Sequence, residues 1–376
     1  MRLGIVVPGG FDPDPDVAAI PVLRSLAEEL ARRHQVRVFA SAGRQPGAYR
    51  IGDIHVTQLG PRRSSEARPA LGAAQLVAAF GRWIGASGPF DLLHAFWADR
   101  TALLATLFAR AASIPSVVSL GGGELAWLPD IPYGGAGSLR ARAVTRAALE
   151  LAGAITAGTS FVVRMLPPAL ARRAAVVPLG VDVARFDAPP ARPAGPPWRL
   201  LHVANLNEVK DQPTLLRAFR RVVDRLGDVR LDCVGADALD GAIQARAVEL
   251  GLGDRITFHG FLPQQSLADL YRRAHLNVLS SRHESQAVVV LEAAAAGLPT
   301  VGTRVGLLDT LAPGAACAVP VRDGDALGDA IAALLADSPA REALGAAAQA
   351  FARAHDVRWT ADTFDGLYAR ISSRTR

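Results

Sequence analysis

Of the 41 lysines and arginines in this chain of 376 residues, only Lys210 is a lysine. Cysteine is nearly as scarce. Cys233 and Cys317 lie far apart in the apolar contexts "LDCVG" and "GAACAVP", which excludes a disulfide framework or a cysteine zinc site and suits a reducing compartment. Long uncharged runs are missing too: none reaches the roughly 18 residues of a membrane span, because arginines interrupt them. The opening "MRLGIVVPGG" is too short for a signal-peptide core and ends in Gly9 and Gly10, so it reads as a buried first strand. Net charge is +6, but the arginines are scattered along helices rather than gathered in a tract, so no nucleic-acid partner is expected. The expected location is cytoplasmic, with room for peripheral contact at the inner membrane face.

What is present is alternation. Half the residues are hydrophobic, enough for more than one core at this length. Short β-branched runs at 3–7, 36–40, 91–95, 116–120, 154–157 and 174–177 alternate with amphipathic segments such as 17–33. That is the pattern of parallel βα units with helices on both faces of a sheet. A stretch with five prolines, "VARFDAPPARPAGPPWR" (183–199), then interrupts any helix or strand. Beyond it the alternation restarts, with strands expected at 199–204, 230–234, 256–259, 276–279 and 300–302. The expected fold is α/β, with two doubly wound Rossmann-like domains facing a central cleft. The first covers 1–185 and is joined by a final helix near 358–376; a linker at 186–197 leads to a second domain at 198–357. Ligands of such sheets bind at the strand C-terminal ends.

The densest signal is "SRHESQAVVVLEAAAAGLPTVGT" (281–303). A strand runs into a loop and then a helix expected to begin near Ser285, whose unpaired amides would attract an anion. Glu284 sits at the helix mouth, and Glu292 lies about two turns further along. Surrounded by Ala and Val, Glu292 needs a partner to be buried.

This stretch resembles the E-x7-E signature of retaining glycosyltransferases of GT-B architecture, in particular family 4, the glycosyl transferases group 1; Glu284, Glu292, Gly297, Pro299 and Gly306 match. The resemblance implies that Glu284 contacts the donor sugar and that Glu292 binds the nucleotide ribose. Ser285, Gln286 and Ala287 replace the family's G-F-G and are expected to line the donor phosphates. "LLHVANLNEVKDQPTLLRAF" is similar to the family segment in which an arginine and a lysine hold the pyrophosphate. Lys210 stands at the lysine and Asn205 at the arginine, and Arg282 is the expected source of compensating charge. A lysine is a compact point charge and an arginine a planar fork, so a phosphate approached end-on in a narrow pocket favours lysine.

Further resemblances fill in the cleft. In "ITFHGFLPQQ", Phe261 and Leu262 occupy the base-reading loop. Gly9 and Gly10, after the first strand, are placed against the acceptor and the donor phosphates respectively. His94, Trp97, Gly121 and Glu124 fall on the acceptor side, with Gly121 where many members carry a histidine. Asp12, Asp14 and Asp16 imitate a D-x-D metal motif, but interleaved prolines make them a solvated loop, and no metal is expected.

The expected activity is retaining, metal-independent transfer of a sugar from a nucleotide-diphosphate-sugar donor to a hydroxyl or amine of a small-molecule, glycan or lipid-linked acceptor. The nucleotide sugar is a co-substrate, and no resident cofactor is expected. Two alternatives stay open: a nucleotide-sugar epimerase of the same architecture and a non-catalytic sugar-nucleotide binding protein. A dehydrogenase fails, because "VPGGFDPD" lacks G-x-G-x-x-G. Donor base, sugar, acceptor and oligomeric state cannot be read from the sequence.

Overall fold

A computed structural model describes residues 1–14, 20–44, 46–60, 72–186, 192 and 194–375. The chain forms two compact units, Met1–Leu179 with Val357–Arg376, and Gly180–Asp356.

Unit 1 is built on an eight-stranded sheet. Its strands are β1 (Arg2–Val7), β2 (Gln35–Ala40), β3 (Gly47–Ile51), β4 (Ile54–Gln58), β5 (Leu92–Phe96), β6 (Ser116–Leu120), β7 (Ala154–Ala157) and β8 (Ala174–Val176). They lie in the order β3-β4-β2-β1-β5-β6-β7-β8, and all neighbours are parallel except the β3–β4 pair. The central strands are buried along most of their length because helices cover both faces, which is why they read as continuous apolar runs. The β3–β4 hairpin was not anticipated. Its signal was the alternation in "AYRIGDIHVTQ" around a Gly-Asp turn, in which Gly52 takes φ 54.

The helix expected at 17–33 occupies Pro21–Ala31, with proline at the first turn, where a missing N–H costs nothing. The final helix, Val357–Thr375, packs against it. Arg33 pairs with Asp362 and Asp365, and His34 with Asp365, across that contact.

Unit 2 carries a parallel six-stranded sheet of β9 (Trp198–Val203), β10 (Val229–Val234), β11 (Ile256–Phe258), β12 (Leu276–Leu279), β13 (Thr300–Thr303) and β14 (Cys317–Val319), in the order β11-β10-β9-β12-β13-β14. Its core gathers Leu200, Leu231, Leu276 and Val301 from the strands, and Leu215, Phe219 and Val222 from the helix Gln212–Leu226. Among the described residues no helix is long and apolar enough to cross a membrane.

Candidate functional site

The chemistry-bearing residues of unit 2 gather at the C-terminal ends of β9 and β12, which are adjacent in the sheet. From β9 the chain enters the loop 204–211. There Asn207 caps a short turn by accepting from the Lys210 amide, and Asp211 adopts a left-handed pose (φ 49) that starts the next helix. From β12 it passes through Ser280, Ser281 and Arg282 to Glu284.

The two loops are laced together. Ser280 Oγ donates to the Lys210 carbonyl at 2.7 Å, and the Arg282 amide donates to the Val209 carbonyl at 2.8 Å. Their side chains then meet: Lys210 Nζ donates to Glu284 Oε1 at 2.5 Å, and Ser281 Oγ donates to the same oxygen at 2.6 Å. The ammonium keeps only 24% of its side chain exposed and the carboxylate 12%. The sole lysine therefore faces Glu284, in a partly desolvated setting where an added anion would feel the ammonium more strongly than in water.

The helix after Glu284 differs from expectation. It covers Val288–Ala295 rather than starting near Ser285, because Ala287 turns left-handed (φ 67, ψ 71) and the Gln286 carbonyl accepts from the Leu307 amide. Ser285, Gln286 and Ala287 therefore belong to the loop that delivers the chain into the helix. Glu292 is buried on that helix and accepts from the Tyr271 hydroxyl at 2.9 Å. Burial pushes its carboxyl up from the usual range, against the opposing hydrogen bonds of Tyr271 and Gln264 and the charge of Arg185.

Asn205 is exposed, and its Oδ1 accepts from the Ala236 amide at 3.0 Å, so this oxygen ties two strand-end loops together. Phe261 is 56% exposed at the end of the β11 segment, with Leu262 half-buried beside it.

Sequence reasoning passed over the support beneath Lys210. His202 is fully buried on β9, shares its Nδ1 proton with the Val278 carbonyl (2.9 Å), and meets Gln212 Nε2 at 3.3 Å. Gln212 Nε2 also lies 3.1 Å from the Asn205 carbonyl, to which it donates. Burial pushes His202 down to about 4, so it is neutral and accepts from Gln212. The available signal was a histidine and a glutamine on either side of the lysine loop, in otherwise apolar surroundings.

In unit 1, His94 requires a correction. It is wholly buried rather than lining an acceptor surface. Its Nδ1 lies 2.7 Å from the Tyr368 hydroxyl on the last helix and its Nε2 2.7 Å from Ser119 Oγ, while burial pushes it down to about 3. A strand-end histidine can point to either face, and this one points under the final helix.

Trp97 is half-buried with a left-handed backbone (φ 66), and its indole lies over Gly121 and Gly122. A Cβ at Gly121 would come within 3.1 Å of that ring, so the indole fills the room a histidine would need. Glu124 accepts from the amides of Ala98 (3.2 Å), Gly121 (3.2 Å) and Gly122 (2.7 Å); burial raises its carboxyl and these amides oppose the rise.

Gly9 and Gly10 are half-buried. Gly10 takes φ 88, and a side chain there would strike Ile20. Asp12 is also corrected: instead of lying in solvent it is buried, accepting from Gln58 Nε2 and the Arg44 amide. Asp14 is exposed, and Asp16 lies outside the described residues.

Two α/β units of this kind, each on a largely parallel sheet, are the parts of the GT-B architecture. Solved structures agree on the fold. Sucrose-phosphate synthase from Thermosynechococcus elongatus superposes with TM-score 0.83 at 22% identity over 100% of both chains. Anabaena HepE in complex with UDP and glucose gives 0.75 at 17% identity, over 98% of this chain and 100% of that one.

The sequence matches "Glycosyl transferase 4-like domain" over residues 18–180 and "Glycosyl transferases group 1" over residues 197–337. The chain belongs to the group 1 glycosyltransferase family. Among its relatives, the D-inositol 3-phosphate glycosyltransferase of Corynebacterium jeikeium is 31% identical over 215 residues, 52% of this chain and 51% of that protein. The N-acetyl-alpha-D-glucosaminyl L-malate synthase of Bacillus anthracis is 36% identical over 107 residues, 28% of this chain and 27% of that protein. The chain spans about half the length, or less, of the curated relatives it matches.

Proposed function

We propose that the protein is a retaining glycosyltransferase that moves a sugar from a nucleotide diphosphate to an acceptor hydroxyl or amine, without a bound metal. The observation that carries this reading is the contact of the only lysine with Glu284 at the mouth of the helix Val288–Ala295. A bound donor would place its pyrophosphate against that ammonium and the helix amides, and Lys210 would exchange its carboxylate partner for the phosphate. Glu284, released from the ion pair, would orient the sugar, and Glu292 with its Tyr271 partner would receive the ribose hydroxyls.

In the reaction, the bond from the anomeric carbon to the phosphate oxygen breaks while the bond to the acceptor oxygen or nitrogen forms on the same face. The acceptor's proton passes to the departing phosphate. That route needs no enzyme base, in keeping with Gly121 where relatives of the pattern carry a histidine. The names of the relatives support transfer chemistry, and the UDP and glucose found with HepE support a nucleotide-sugar donor.

Release of nucleotide diphosphate from a panel of nucleotide sugars tests the proposal. Turnover is expected for one donor and should fall at least ~100-fold in Lys210→Ala, the scale of losing one preorganised charge contact. Lys210→Arg is expected to recover only part of it. Tight donor binding with no turnover on any acceptor would replace this reading with a binding protein.

A further inference from the structure

At the opposite edge of the unit 2 sheet from Lys210 lies a cavity of about 540 Å³. Trp198 opens β9 there, and His275 and Pro299 directly precede β12 and β13. The charged groups lining it are Arg192, Arg341 and Glu342.

Both arginines are held in place by carbonyls. Arg192 donates from Nε to Ala274 (2.9 Å), at the C-terminal end of the helix Gln264–Arg273, and from Nη1 to Gly297 (2.9 Å) and Nη2 to Ala296 (2.8 Å), at the C-terminal end of the helix Val288–Ala295. Arg341 donates from Nη1 to Leu334 (2.8 Å) and Leu335 (2.9 Å) and from Nη2 to Ser338 Oγ (2.7 Å), with its guanidinium 5.0 Å above the Trp198 ring. A guanidinium has five N–H donors, so after three bonds each arginine retains two.

Among the described residues neither cation makes an ion pair within 4.0 Å. Glu342 and Asp337 offset Arg341 at longer range, whereas the charge acting on Arg192 is the like charge of Arg341. Burial and that repulsion together bring Arg192 down to about 10. Capping the helix end does not require this pairing of cations, since Gln349 Nε2 already donates to Ala295 there at 3.1 Å.

We propose that this cavity is a binding site for a phosphate-bearing small molecule, separate from the donor site, with its phosphate gripped jointly by Arg192 and Arg341. Two rigid forks with four free N–H groups match the peripheral oxygens and double charge of a phosphate better than the two oxygens of a carboxylate. The volume is that of a ligand pocket rather than an ion site, which leaves room for an organic body attached to the phosphate.

The test titrates inorganic phosphate against the melting temperature of the full chain, with sodium chloride at matched ionic strength as the reference. It uses the wild type, Lys210→Ala, Arg341→Gln and Arg341→Lys. A saturable rise retained in Lys210→Ala, weakened at least tenfold in Arg341→Gln and partly restored in Arg341→Lys supports the site. Crystals soaked in tungstate should then show an anomalous peak between the two guanidinium groups. A rise lost in Lys210→Ala and kept in Arg341→Gln would assign the phosphate to the donor site and overturn the proposal. So would the absence of any rise beyond the chloride reference, or a tungstate peak only outside the cavity. If Arg341→Gln does not fold, the wild-type peak position and the Arg341→Lys titration still decide.

Discussion

At Ala287 the backbone takes φ 67 and ψ 71, a left-handed pose that costs an L-residue with a side chain roughly 1–2 kcal/mol. The family pattern has glycine at this position, and the cost is accepted here next to the residues that would meet the donor. Replacing Ala287 with glycine should relieve the strain and raise the stability of unit 2 by about 1 kcal/mol, seen as a higher urea midpoint. An unchanged or lower midpoint would show that the alanine methyl contributes packing that outweighs the strain. Legibility at this scale was uneven. Matching two separate motifs put Lys210 and Glu284 in one donor pocket but did not give their direct ion pair, whereas the need for a partner at Glu292 followed from its apolar neighbours. The partner, Tyr271, could not be read because it comes from a different helix. His94 was misplaced because alternation along a strand shows that a residue faces one side without showing which element covers that side.

Among the elements, the helix Val357–Thr375 closes the polar network of unit 1. His94, buried on β5, is held between Ser119 and the Tyr368 hydroxyl, so Tyr368→Phe would leave Nδ1 of the imidazole without its partner. The expected cost is about 1–3 kcal/mol, the penalty for an unsatisfied buried polar group. It should appear as a lower unfolding midpoint for unit 1 with no change in nucleotide affinity, and a parallel loss of affinity would contradict this assignment. The strands of both sheets were largely legible, since buried parallel strands announce themselves as short β-branched runs. The β3–β4 hairpin and β14 were not: the first is an edge pair with half-exposed alternation, and the second is three residues long in a segment rich in alanine and glycine. The helix start at Val288 was missed because the turn preceding it depends on a carbonyl contact with Leu307.

For the molecule as a whole, each unit contains a wholly buried histidine held neutral, His94 in the first and His202 in the second. The unfolded chain takes up a proton on histidine near pH 6.5, but folded His94 does so only at about 3 and folded His202 only at about 4. Through that window the unfolded state binds more protons, so stability is complete above pH 6.5 and declines as the pH falls. Each group contributes ~1.4 kcal/mol per pH unit, or ~2 kcal/mol between pH 6.5 and 5. Urea midpoints should therefore be lower at pH 5 than at pH 7 for both units, by less than the histidines alone would give, because the raised carboxyls of Glu124 and Glu292 bind protons in the folded state and oppose the loss. Equal midpoints at the two values would mean that the imidazoles gain solvent access without unfolding.

The division of unit 1 between the two ends of the chain bears on its biosynthesis. A ribosome releases Tyr368 only after the whole of unit 2 has been made. Until then the imidazole of His94 has no phenol to meet, and the surface of the helix Pro21–Ala31 that Val357–Thr375 covers stays open. The second-made unit can thus have its whole chain in hand while the first-made one still waits for its last helix.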